Sequence, residues 1–225
     1  PATDPVSGAI TGLSNLRVFS MDYNGMGILS FNGEDDEGVG EYVDFEGLVS
    51  EIQMTATFWF RTDNEGEAMG LFSMDSGTRG DGGLDRSIFL DDQGRIGAFI
   101  YDGADNGYEI IRSADGTDFV DGEWHHVAYV FSSNTSVAQR LYVDGVEVAL
   151  GTATSSSLSI QDGFNLGFGR AINDAPAGVS TRAGGIPQTP GDLAYFKGDM
   201  DELRIWDQAF TDVLVNADMI SAYPA

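Results

Sequence analysis

Asp and Glu number 36 in this chain of 225 residues against 11 Lys and Arg, a formal net charge of −25. Many gather with Gly and Asn in short polar stretches: Asp22 to Gly25, Glu34 to Glu37, Asp75 to Asp85, Asp102 to Asn106, and Asn173 with Asp174. Carboxylates and carbonyls crowded in this way are ligands for a hard cation, since calcium takes about six to eight oxygens from such loops. Zinc and copper are not expected, because there is no cysteine and the only histidines are the neighbours His125 and His126. Calcium is therefore the expected cofactor. The turns able to chelate it at a ligand site are Asp102 with Asp105 and Asn106, Asp75 with Asp81 and Asp85, and Asn173 with Asp174. For each, the competing reading is an ordinary solvated turn. So much negative charge also disfavours nucleic acid and anionic membrane surfaces as partners.

Catalysis finds less to work with. A glycosidase needs a pair of carboxylates facing one cleft. Asp199 and Asp201, with Glu202 beside them, are the nearest approach, but no carboxylate triplet lies on a central strand. Glu41, Asp44 and Glu46 have mixed spacing and do not share a face. His125 and His126 lack a nucleophile signature and are expected to pack. The three tryptophans, Trp59, Trp124 and Trp206, fall in strand patterns and are expected in the core. A platform for stacking against a sugar is sought in loops instead, at Tyr101, Tyr108, Tyr195 and Phe196. Arg170 and Arg182 are scarce cations near the last two and could meet an anionic ligand group, or simply a local Asp.

The elements that must hold these residues are strands. Thirty glycines, six prolines and short alternating apolar runs give an all-β pattern, and this length suits one β-sandwich domain over 1–225. The run Trp124 to Phe131 is apolar at both alternate sets, so it predicts a strand covered on both faces. Leu141 to Val143 and Val146 to Val148 flank Asp144 and Gly145, a strong hairpin signal. Met54, Ala56, Phe58 and Phe60 share one face of a central strand over 52–61. Further strands are expected near 13–20, 27–31, 41–45, 69–74, 87–90, 95–101, 108–112, 164–170 and 198–206. Unbroken alternation in the last sets Met200, Glu202, Arg204 and Trp206 opposite Asp201, Leu203 and Ile205. Thr211 caps a short C-terminal helix over 212–222, in which Val213, Leu214, Ala217 and Ile220 recur at helical spacing. Residues 1–12 read as a linker, so continuity with other domains of a larger protein is expected. Residues 171–197 read as a long loop insertion without periodicity, a feature more often functional or disordered than incidental.

Taken in order, several segments resemble a known family. They are Leu29 to Gly33, Thr57 to Arg61, Asp121 to Ala128, Leu141 to Gly145, Asn165 to Gly167, Gly198 to Trp206 and Ala209 to Thr211. Together they are similar to the laminin-G-like, concanavalin-A-like jelly-roll domains, in the pentraxin-related branch found in bacterial surface proteins. The resemblance implies two antiparallel sheets and ligand loops along the rim or concave face. It also implies a structural calcium whose matching positions here are Asp22 or its neighbours, Gly33 and Asp201; the alternative for Asp201 is a cap or ion pair at its strand end.

The expectation is thus a two-sheet antiparallel jelly roll with a short C-terminal helix, acting as a non-catalytic, calcium-dependent, extracellular module of a bacterial surface adhesin. The expected partner is a glycan or peptide, met around Tyr101, Asp102, Asp105, Asn106, Arg170, Asn173, Asp174 and Tyr195, with no direct membrane insertion. The rival readings are a polysaccharide-active enzyme or its accessory carbohydrate-binding module, and a structural spacer.

Overall fold

Residues 19–20, 28–33, 42–46, 53–75, 84–101, 108–152, 165–173 and 192–221 are described by a computed structural model. Their strands are β1 (Phe19–Ser20), β2 (Leu29–Asn32), β3 (Val43–Glu46), β4 (Gln53–Arg61), β5 (Met69–Asp75), β6 (Leu84–Leu90), β7 (Ile96–Tyr101) and β8 (Tyr108–Arg112). They continue as β9 (His125–Ser132), β10 (Gln139–Val143), β11 (Val146–Gly151), β12 (Asn165–Phe168), β13 (Arg170–Asn173), β14 (Asp192–Tyr195) and β15 (Lys197–Trp206), and helix α1 (Asp212–Ser221) follows. A seven-stranded antiparallel sheet runs β1-β15-β4-β9-β10-β11, with β2 also on β15; a six-stranded one runs β3-β12-β5-β6-β7-β8. This is the jelly-roll sandwich. No helix among the described residues is long and apolar enough to cross a membrane.

Alternation builds the layer between the sheets. Met54, Ala56, Phe58 and Phe60 of β4 are fully buried there, with Val127, Tyr129 and Phe131 of β9 beside them and Phe72, Met74, Ile88, Ile96 and Ile100 from the second sheet. Each large side chain removed from water contributes about 1.5–3 kcal/mol. The opposite face of β9 carries Ala128 and Val130, which with Tyr142, Trp206, Phe210 and Val215 form a second cluster beneath α1. All eight residues of β9 are consequently buried.

The hairpin after β10 forms where its sequence places it. Val143 pairs with Val146, and Asp144 and Gly145 both have positive φ, 51° and 75°. That is the two-residue turn whose twist suits a hairpin. A β-carbon at Gly145 would lie 2.4 Å from Asn216 Oδ1 of α1, so a larger residue would have to move that side chain as well as adopt the positive φ.

Three expectations are corrected. The first is the alternation of β15, which breaks at a bulge between Asp201 and Arg204, with Glu202 at φ 54°. Met200, Leu203 and Ile205 are all buried in the main core, and one extra residue is needed to put all three on one face. The second is α1, which turns Val213 and Ile220 outward, each 77% exposed, and buries Val215 and Asp218. The third is the insertion over 171–197, whose ends form a ribbon: β13 pairs with β14 and packs against β5 and β6. Gly169 makes the bend into that ribbon at φ 82°, where a β-carbon would strike the Phe31 ring at 2.6 Å.

The buried carboxylate of α1 is compensated from the sheet. Asp218 lies 3.1 Å from Arg204 Nη1 and 3.4 Å from His126 Nε2, and His126 and Asp218 are both 1% exposed. Burial alone would raise its carboxyl, but His126, Arg204 and the Thr57 hydroxyl hold it below the ordinary carboxylate value. Stability from this group is therefore present above about pH 4 and is lost as pH falls through the lower folded value. Asp218→Ala removes one of the two carboxylates on Arg204 and the one beside His126, and should cost about 2 kcal/mol, a fall in Tm of roughly 4–8 °C by calorimetry at pH 7.

His125 works in the other direction. Its Nδ1 lies 2.8 Å from Asp144 Oδ2 and its Nε2 lies 3.1 Å from Asp121 Oδ1, with the Phe60 and Phe119 rings packed about it. Burial would lower the imidazole, but the hydrogen bonds and charges of Asp144 and Asp121 raise it above its ordinary value. Its contribution is complete below about pH 6.5 and lost as pH climbs through the raised folded value. The Tm should decline over that alkaline window in the parent protein and stay flat in His125→Asn. Parallel pH profiles of the two would show an error in this assignment.

Candidate functional site

Turns and strand ends from both sheets meet at one end of the sandwich. Asp91 anchors the β6–β7 turn there: its Oδ1 accepts the N–H groups of Gln93 and Arg95, each at 3.0 Å, and its Oδ2 takes Arg95 Nε at 2.8 Å. The 113–124 connection is tied in by Phe119 N–H donating to Gly94 O and by Gly122 N–H donating to Thr62 O, each at 2.9 Å. The β4–β5 connection is fixed by the Thr62 hydroxyl donating to Lys197 O at 2.7 Å.

Of the residues proposed to meet a ligand, Arg170 and Tyr195 are brought together as cross-strand partners, and Asn173 pairs with Asp192 in the same ribbon. Tyr195 meets a residue that sequence reasoning missed: its ring lies 6.0 Å from that of Tyr42, with 31° between the planes. Tyr42 is 43% exposed, next to the first residue of β3. Register explains the meeting, because Val43 pairs with Phe168, two residues before Arg170. Nothing near Tyr42 in the sequence announces this pairing, which joins residues 153 positions apart.

Tyr101 is not part of this group. It closes β7 opposite Tyr108, three strands across the sheet from β12, which alone is about 14 Å. It also lies toward the end of the sheet where Asn165 pairs with Asp75, away from Phe168. The proposed ligand set thus divides between two ends of one sheet. Asp102, Asp105, Asn106 and Asp174 lie outside the described residues, as do Asp22 and Arg182.

The calcium positions also separate. Gly33 N–H donates to Phe196 O at 3.1 Å, and a β-carbon on Gly33 would touch that of Lys197. Asp201 is four residues further along β15, roughly 13 Å at strand spacing. Oxygens on one calcium lie within about 5 Å of each other, so one ion does not take both residues. Instead Asp201 Oδ1 accepts the N–H of Glu202 at 2.8 Å, within the bulge. Among the described residues no three of His, Asp and Glu gather to hold a metal ion.

The carboxylates weighed for catalysis are engaged elsewhere. Burial would raise Asp199, but the Ser30 hydroxyl and Arg61 lower it below the ordinary carboxylate value. It is held ionised, which does not suit a proton donor. Glu202 is ion-paired with Arg204. Trp124, expected in the core, instead stands partly exposed one residue before β9, with the Arg61 guanidinium 4.9 Å from its ring centroid.

No curated protein matches this sequence. Among solved structures, a native heptameric SAP-like pentraxin from Limulus polyphemus aligns at TM-score 0.57 and 18% identity, over 83% of this chain and 78% of the pentraxin. The CBM40 of a Ruminococcus gnavus IT-sialidase, bound to α2,6-sialyllactose, aligns at 0.54 and 18%, over 74% and 82%. The binding domain of botulinum neurotoxin DC, in complex with rat synaptotagmin II, aligns at 0.56 and 11%, over 92% and 46%. These likenesses establish the fold. A laminin-G family model, that of the concanavalin A-like lectin/glucanases superfamily, matches residues 36–215, and the chain belongs to that family.

Proposed function

We propose that this domain is a non-catalytic recognition module that binds an extracellular glycan or a peptide on the rim carrying Tyr42, Tyr195 and the Arg170 end of β13. The observation that carries the reading is the Tyr42–Tyr195 pair. Two aromatic rings at a sheet edge, one of them 43% exposed, form an apolar platform backed by rigid strands. Support comes from structural neighbours that carry a sialylated sugar in one case and a protein in another. The proposed setting is a secreted bacterial adhesin in which this domain is continuous with others.

A glycan and peptide array in calcium-containing buffer should return a saturable ligand. Tyr42→Ala and Tyr195→Ala should each weaken it at least tenfold, about 1.4 kcal/mol, while the melt stays within a few degrees. An array without a hit would favour the spacer reading, and turnover of a polysaccharide that stops on changing Asp199 or Glu202 would favour the enzyme.

Calcium belongs to the same proposal and rests on the charge of −25 and the acidic sequence stretches 34–37 and 102–106. An ion bound at a hundred times its Kd adds about 2.7 kcal/mol to the folded state. Chelator should accordingly lower Tm by roughly 5–10 °C at moderate salt, and an unchanged melt would remove calcium from the account.

A further inference from the structure

The Tyr42–Tyr195 rim leaves unused a row of side chains near the end of the outer face of the seven-stranded sheet, with the Asn32–Lys197 pair beyond it. Adjacent strands β2, β15 and β4 and the residue before β9 contribute Ser30, Asp199, Arg61 and Trp124 to it. Ser30 Oγ donates to Asp199 Oδ1 at 2.6 Å. Arg61 Nε and Nη2 donate to Asp199 Oδ2 at 3.2 and 2.6 Å, and the same guanidinium lies over Trp124. One row further in, Trp59 and His126 are shut away at 4% and 1% exposure, with Asp218 of α1 against His126. The outer row stays open: the Arg61 side chain is 40% exposed and that of Asp199 24%.

An ion pair this open contributes about 0–1 kcal/mol, so stability does not account for the arrangement. What it does is hold a carboxylate and a guanidinium in fixed orientation beside an indole. The charges of Arg61 and Asp199 cancel, and Lys197, two residues before Asp199 on the same face of β15, adds one exposed cation, too little to draw an anionic ligand to a chain of −25. A cationic ligand would have to displace Arg61. Hydroxyl groups suit all three polar members: they donate to the spare lone pairs of Asp199, accept the remaining N–H groups of Arg61, and exchange with Ser30. The row crosses three strand spacings, about 14 Å, the reach of a short oligosaccharide.

The geometry points to a second binding site here, for a neutral oligosaccharide carrying adjacent hydroxyls. The probes are cellohexaose, laminarihexaose and mannohexaose, read by the Trp124 indole N–H resonance in the intact domain. At least one should shift it saturably. Arg61→Met and Asp199→Asn, each checked for an unaltered melt, should weaken that binding tenfold or more, whereas Tyr195→Ala leaves it within twofold. If no probe moves the Trp124 signal, or Arg61→Met binds as before, the site is overturned. Loss on Tyr195→Ala alone would credit the rim and likewise overturn the second site. A Trp124 response to sialyllactose, an anionic sugar, would overturn the ligand class.

Discussion

Because every residue of β9 is buried, each of its faces needs a cover, and the two covers differ in kind. One is the second sheet, which meets Val127, Tyr129 and Phe131 with Phe and Ile side chains in an apolar layer. The other is a ten-residue helix, too short to be stable alone, that gains its place from Val215 and from one buried carboxylate. The strand thus sets the layer order: sheet, sheet and helix. It also decides what is left over, since the helix closes the row at Trp59 and His126 and stops short of the row at Arg61 and Trp124.

Electrostatics organises the molecule at a finer level. With 11 Lys and Arg against 36 Asp and Glu, each cation has acidic neighbours to choose from. Arg61, Arg95, Arg140 and Arg204 each meet a carboxylate. These pairs serve geometry more than stability: Arg95 fixes a turn, Arg204 seats α1, and Arg61 aligns Asp199 beside Trp124. His125 does similar work between Asp121 and Asp144, joining the run-in to β9 to the β10–β11 turn.

Where a local rule had a single answer, reading the chain was enough. Asp144 and Gly145 dictate a tight hairpin because few other residues take two positive φ values in succession, and the four apolar positions of β4 allow one inward face. Where two demands competed, local pattern misled. In β15 the alternation is regular, yet the core needs Met200 and Leu203 on one side, so the chain bulges at Glu202. In α1 the apolar spacing of Val213, Ala217 and Ile220 suggests a buried face, but the sheet beneath offers Arg204 and His126, and Asp218 is the helix residue that meets both. Trp124 has a strand-like neighbourhood and sits just beyond where pairing buries it. The acidic stretches show that oxygen ligands are abundant without showing which ones converge, and register separates Gly33 from Asp201.

By itself the sequence determined the strands of the two main sheets, the β10–β11 turn, the double-sided burial of β9, the terminal helix and the family, because each follows from residue type at short spacing. Only the tertiary structure decided which distant side chains stand together. Tyr42 with Tyr195, and Ser30 with Asp199, Arg61 and Trp124, meet through strand order and register. Those are set by how two whole sheets bury their apolar faces, a condition no segment of the chain carries alone.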